Sequence, residues 1–202
     1  VSVHPIEAES YRILAERVDL DRWPPLARAV VARVIHATAD IGYADTLVLD
    51  EAACAAGVRA LRAGAPVVVD VEMVAVGARR AGAVSLLEEA RALRSTLPEP
   101  DRASLTVTAA AMRVAAQRWP FGAVVVVGNA PTALVEVLRL ARAGCFDPAL
   151  VIGLPVGFVG AADAKAELRA SGLSAISNVG ERGGSAAAAA ALNALHRAAV
   201  EP

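Results

Sequence analysis

Lysine is almost missing from this chain: Lys165 is the only one among its 20 basic residues. Aromatic residues are scarce too, at 3% of 202 positions, although 56% of the chain is hydrophobic. A core of ordinary size must therefore be built from Ala, Val and Leu, whose small side chains favour close packing of helices on a sheet. A net charge of −1 supplies no basic footprint, so neither nucleic acid nor an anionic membrane surface is expected as a partner. No apolar stretch reaches the ~20 residues of a membrane span. The opening VSVHPIEAES lacks the basic start and apolar run of a signal peptide, and a cytoplasmic protein is expected. Cys54 and Cys145 form no CxxC pair and have no histidine nearby, so a metal site is not expected. Reduced, buried thiols are.

What the chain does have is an alternation of short Val/Ile runs with longer Ala/Leu/Arg segments. That pattern predicts a single α/β domain over residues 1–202, with a doubly wound, mostly parallel sheet and helices on both faces. The clearest strands are residues 66–71 (PVVVDV), 123–128 (AVVVVG) and 149–154 (ALVIGL), apolar throughout as strands covered on both faces should be. Weaker strand signals cover 46–49, 105–107 and 174–179. Helical periodicity marks 26–39, 132–143, 161–171 and 184–199, with Gly144 and Gly172 placed as C-terminal stops. LPEPDR at 97–102 reads as a surface turn, and the alanine run 186–191 continues a helix that closes the sheet.

Four loops follow predicted strands: Glu72-Met73, GNAPT at 128–132, GLPVGFVG at 153–160 and GERGGS at 180–185. Ligands of parallel α/β sheets bind outside the carboxyl ends of the strands, so these loops should share one rim. GNAPT and GGS each precede a helix, where backbone N–H groups can receive an anion. Neither GxGxxG nor GxxxxGK[ST] is present, and no lysine sits on the loops. A polyanionic organic ligand, held by helix N-termini and arginines, fits better than a nucleotide.

Of three histidines, His4 precedes Pro5 in an N-terminal loop and His196 lies near an arginine in the last helix; both read as solvated. His36 sits about 200° around its helix from Val34, off the apolar stripe and on the side of Arg33 and Asp40. It reads either as an exposed histidine with an i+4 carboxylate or as a proton donor, since imidazole titrates near neutrality.

Taken together, HPIEAESYRIL, RVIHATAD, VDVEMVAVG, GNAPTAL, VIGLPVGFVGAADAKAEL and RGGSAAAAAALNAL resemble, in this order, the successive motifs of the precorrin-8X methylmutase family. The resemblance runs from about residue 3 to residue 195. It implies a doubly wound α/β homodimer with its site near the subunit interface, acting on precorrin-8X or cobalt-precorrin-8. The implied reaction moves a methyl group from C-11 to C-12 of the macrocycle and gives hydrogenobyrinic acid, with no cofactor or metal supplied by the protein. By the same resemblance His36 is the proton donor. Substrate contacts fall to Ser10, Met73, Thr108, Asn129, Thr132, Gly157, Phe158, Arg182, Gly183, Gly184 and Ser185. Two positions depart from the family pattern: Val107 stands where an arginine is usual, and Glu181 where a second basic residue is usual. These departures keep open a second reading, a corrinoid-binding carrier without catalysis.

Overall fold

Runs of valine and isoleucine with no polar interruption set the centre of the molecule. The computed structural model describes residues 4–201. In chain order the elements are α1 (Pro5–Arg17), α2 (Pro25–Thr38), α3 (Tyr43–Thr46), β1 (Leu47–Val48), α4 (Glu51–Arg62), β2 (Val67–Val69) and α5 (Glu72–Gly77). A 3-10 turn at Arg79–Ala81 leads to β3 (Val84–Ser85), α6 (Leu87–Ser95), α7 (Glu99–Ser104), α8 (Val107–Arg118) and β4 (Val124–Val127). The chain continues through α9 (Pro131–Arg142), β5 (Leu150–Gly153), α10 (Ala161–Ala170), β6 (Ala175–Asn178) and α11 (Ser185–Val200).

The strands form one sheet in the order β1-β6-β5-β4-β2-β3, parallel except for β1, which runs antiparallel along β6. Side chains alternate between the faces. Val67, Val69, Val124, Val126, Leu150 and Ile152 point toward α1, α2, α4 and α11. Val68, Val125, Val127 and Val151 point toward α6, α8, α9 and α10. Both faces are thus covered, which is why these strands read as unbroken apolar runs. Each fully buried Val or Leu contributes about 1.5–3 kcal/mol relative to exposure. The alanine run of α11 lies against α2, with Ala187 to Ala191 all buried.

Helix ends follow local chemistry. Asp50 caps α4 by accepting from Ala53 N at 2.7 Å, and Thr106 caps α8 by accepting from Ala109 N at 3.1 Å. Gly144 and Gly172, after α9 and α10, are left-handed at φ 69° and 80°, as their placement predicted. Helix α2 starts at Pro24-Pro25 without a cap of its own. Glu51, from α4, substitutes by accepting from Leu26 N at 3.0 and 3.1 Å and from Ala27 N at 2.9 Å.

The structure corrects four expectations. Residues 105–107 are not a strand: Thr106 is the N-cap and Val107 the first residue of α8. The LPEPDR turn is partly helical, because Pro98 ends the preceding segment and Glu99–Ser104 close a short helix. Cys145 is exposed, whereas Cys54 is buried as expected. Glu72 and Met73, expected in a loop, open the short helix α5. Among the described residues no helix is long and apolar enough to cross a membrane.

Candidate active site

The parallel strands reverse their order between β2 and β4, where neighbouring connections leave in opposite directions. In sheets of this kind the crevice at such a point receives the ligand. Here it is occupied by a side chain of the protein. Asp70, directly after β2 and fully buried, accepts from Gly128 N at 3.0 Å, Asn129 N at 2.8 Å and Ala130 N at 2.7 Å. Burial pushes its carboxyl up from the ordinary value, and the backbone N–H bonds oppose that rise. GNAPT therefore does not offer these N–H groups to a ligand, contrary to the expectation from its place before α9. The Asn129 side chain itself is exposed on the rim.

The four loops do converge. A Cβ on Gly128 would lie 2.8 Å from Val74 of α5 and 3.0 Å from Cα of Ser185, so three of them meet at that glycine. The fourth joins at Gly183, where a Cβ would lie 2.2 Å from the Leu154 carbonyl and 2.5 Å from that of Pro155; no other residue fits there. Gly157 N donates to the Glu181 carbonyl at 3.1 Å and Gly184 N to that of Leu154 at 2.9 Å. Gly184, at φ 128°, turns the chain into α11, whose start has no side-chain cap. The Ser185 hydroxyl at this start is buried and has no hydrogen-bond partner among the described residues. Met73, Phe158 and Val159 stand out from the rim, Phe158 with 91% of its surface exposed.

His36 lies near the end of α2, half-buried under α1. Its Nδ1 is 2.8 Å from the hydroxyl of Ser10, and the ring of Tyr11 stacks on it at 4.9 Å between centroids and 13° between planes. Arg33, one turn earlier, points away to Glu7 at 2.5 Å and the Tyr11 hydroxyl at 3.3 Å. Asp40, one turn later, pairs with Arg182 at 3.1 Å. Neither flanking charge is the histidine's partner; Ser10 is. Arg182 crosses Gly42, where a Cβ would come within 2.2 Å of its guanidinium, and so ties the GERGGS turn to the end of the histidine's helix.

Elsewhere on the rim, Thr132 Oγ1 is 2.9 Å from Thr106 Oγ1 and 3.4 Å from Thr108 Oγ1. With Ser104, Arg113 and Glu136 two of these threonines line a cavity of about 210 Å³. A larger hollow of about 610 Å³, lined by Arg113, Gln117, Arg139 and Cys145, lies toward the C-terminal ends of α8 and α9. Because β4 follows α8 and α9 follows β4, that hollow is at the opposite end of the sheet from the rim. The structure thus joins Ser10 to His36, Thr108 to Thr132, and Gly157 to the GERGGS turn. It records no hydrogen bond from His36 to the threonines or to Asn129. His4 proves to be the N-cap of α1, accepting from Ile6 N at 3.3 Å. His196 is half-buried on α11.

Three residues escaped the sequence reading. Tyr11 follows Ser10 in the chain, but stacking on His36 required knowing how α1 crosses α2. Asp70 carried a faint signal, an acidic residue closing an otherwise apolar strand. Lys165 carried a stronger one, a solitary lysine in an arginine-rich chain; its ammonium reaches the GERGGS turn from α10.

A parallel α/β sheet with glycine loops at its carboxyl rim, beside a histidine fixed by a serine, defines a small-molecule-binding α/β protein with acid–base capacity. The chain belongs to the precorrin-8X methylmutase family, whose model matches residues 5–198. The precorrin-8X methylmutase of Pseudomonas aeruginosa is 41% identical over 94% of this chain and 93% of its own length. The cobalt-precorrin-8 methylmutase of Priestia megaterium is 37% identical, over 96% of this chain and 88% of its own. The crystal structure of precorrin-8X methylmutase from Thermus thermophilus superimposes with a TM-score of 0.80 at 38% identity, covering 97% of this chain and 98% of that one.

Proposed function

We propose that this chain is the isomerase of corrin biosynthesis that moves the methyl group of precorrin-8X from C-11 to C-12, with His36 as its proton donor. Family membership over nearly the whole chain supports the activity. The Ser10–His36 pair is the observation that supports the donor. As an imidazolium the ring donates Nδ1–H to the Ser10 oxygen and carries its second acidic proton on Nε2 at the free edge; passing that proton to a nitrogen of the macrocycle leaves a neutral imidazole still bonded to Ser10. Tyr11 covers one ring face and Ser10 holds one nitrogen, which leaves the ring little rotational freedom.

The methyl shift is internal to the macrocycle: one carbon–carbon bond breaks as the other forms, with no net oxidation. The protein then has to select the reactive tautomer and hold the ring while charge redistributes. In this reading the GERGGS turn, the exposed Asn129, the Thr108–Thr132 pair and the apolar Met73 and Phe158 hold the periphery of the macrocycle. Homodimeric assembly, implied by the family resemblance, and a cytoplasmic location, in keeping with two unpaired cysteines, complete the proposal.

The test is incubation of purified protein with precorrin-8X and, in parallel, with cobalt-precorrin-8, following the absorbance of the corrin product. Turnover of either establishes the isomerase and names its substrate. Tight binding of hydrogenobyrinic acid without turnover would establish the carrier instead.

A further inference from the structure

The solitary lysine is fully buried. Lys165 projects from α10 between Ala164 and Leu168, both of which pack in the core beneath the sheet. A buried ammonium is costly to keep unless acceptors replace its water. Two do: Nζ donates to Asn178 Oδ1 at 3.1 Å and to the backbone carbonyl of Arg182 at 2.5 Å. No carboxylate lies within ion-pair distance of it among the described residues.

The charged and titratable groups around it do not neutralise it. On its own helix Arg169 opposes its charge while donating to the Asn178 carbonyl at 2.8 Å. On the turn above, Glu181 attracts it from an exposed position, and the guanidinium of Arg182 is spent on Asp40. From α3, Tyr43 donates to the Gly183 carbonyl at 3.3 Å. A tie of the turn to β6 alone would not need a cation, because Asn178 Nδ2 already donates to the same Arg182 carbonyl at 2.9 Å. What the lysine adds is a second donor that saturates that carbonyl, and a positive charge directly under the GERGGS turn.

We infer that Lys165 is a positioning residue for the substrate: its ammonium fixes the Gly180–Ser185 turn and supplies the buried charge against which a side-chain carboxylate of the macrocycle settles there. The inference rests on the functional reading above. The unpartnered Ser185 hydroxyl and the uncapped start of α11 lie on the same turn, so the carboxylate would meet a hydroxyl, backbone N–H groups and a nearby cation together. Burial, with Arg169 adding to it, pulls the lysine down to about 8, whereas Tyr43 is raised and Cys54 lies near 12. Raising the pH through 8 therefore discharges the lysine while both of those groups remain protonated.

The experiment has two arms. In the free protein, hydrogen exchange of the amides of residues 180–185 is compared between wild type, Lys165→Gln and Lys165→Met; both variants are expected to exchange there at least tenfold faster, with α2 and α9 unchanged. In turnover of precorrin-8X, wild-type KM is expected to climb about tenfold between pH 7 and pH 9.5 with kcat within threefold. Lys165→Met should show the high KM already at pH 7 and no further rise. Unchanged exchange in the turn, or a wild-type KM flat across that range, overturns the inference, and the wild-type profile decides even if the variants do not fold. Faster exchange in a protein that turns over neither macrocycle would instead refute the functional reading, and the substrate-positioning role with it.

Discussion

The hydroxyl of Ser10 and Nδ1 of His36, 26 residues apart in the chain, lie 2.8 Å from one another across the α1–α2 contact. Removing the imidazole should cost the whole proton-transfer contribution, typically 10²–10⁴-fold. His36→Ala is accordingly expected to lower kcat on precorrin-8X into that range with little change in KM. Ser10→Ala leaves the ring in place but removes the partner of Nδ1 and with it the fixed ring orientation, and about a tenfold loss in kcat is expected. Single-turnover absorbance traces measure both. Equal rates for wild type and His36→Ala would remove the histidine from the mechanism.

Asp70 accepts from three consecutive backbone N–H groups. Asp70→Ala orphans all three, and each unsatisfied buried donor costs about 1–3 kcal/mol. Asp70→Asn keeps one acceptor oxygen but turns an amide N–H₂ toward another donor, so an intermediate loss is expected. Urea unfolding gives the order, and amide exchange at residues 128–130 shows whether the loss is local.

Lysine ionisation should move stability and substrate binding in opposite directions. The folded-state value, about 8, is below the ordinary 10.5, so between those limits the unfolded chain binds more protons. Stability contributed at this site therefore rises with pH across that window, by about 3 kcal/mol at most. The difference in unfolding free energy between wild type and Lys165→Met, measured at pH 7.5 and pH 10, should widen in favour of wild type while wild-type KM worsens. A parallel decline of both would contradict the assignment.

The amino end of α2 depends on Glu51, which sits on another helix. Glu51→Ala removes that cap at a site 15 Å or so of helix away from His36, given about 1.5 Å of rise per residue. A loss of about 1–2 kcal/mol in thermal or urea unfolding is expected, with kcat nearly preserved in the folded fraction.

Thiol labelling distinguishes the two cysteines. Cys145 is exposed, whereas burial pushes the Cys54 thiol up to about 12. One equivalent should react quickly with a disulfide reagent under native conditions, and the second only on unfolding. Cys145→Ser should abolish the fast phase.

Much of this architecture was legible because the residues that decide it act locally or by period. Val124 to Val127 announce a strand covered on both sides, and Gly144 announces where α9 stops. Thr106 misled because a β-branched run also suits a helix cap, and the competition was settled by Ala109 N rather than by propensity. His36 could be placed off the apolar stripe from its spacing. Its partner could not, since Ser10 reaches it only through the crossing of two helices. The role of Asp70 stayed hidden for a related reason, despite its faint signal at the end of an apolar strand: its partners are main-chain groups 58 to 60 residues away, which carry no letter in the sequence.

That same aspartate bears on selectivity. A cell is crowded with nucleotides and inorganic phosphate, and the topology of this sheet would ordinarily offer them a row of N–H groups at the strand reversal. Here a covalently tethered anion holds that row at an effective concentration no free phosphate can match. On the function proposed above, a large polycarboxylate would be received by other groups of the rim while this most generic anion receptor stays engaged by Asp70.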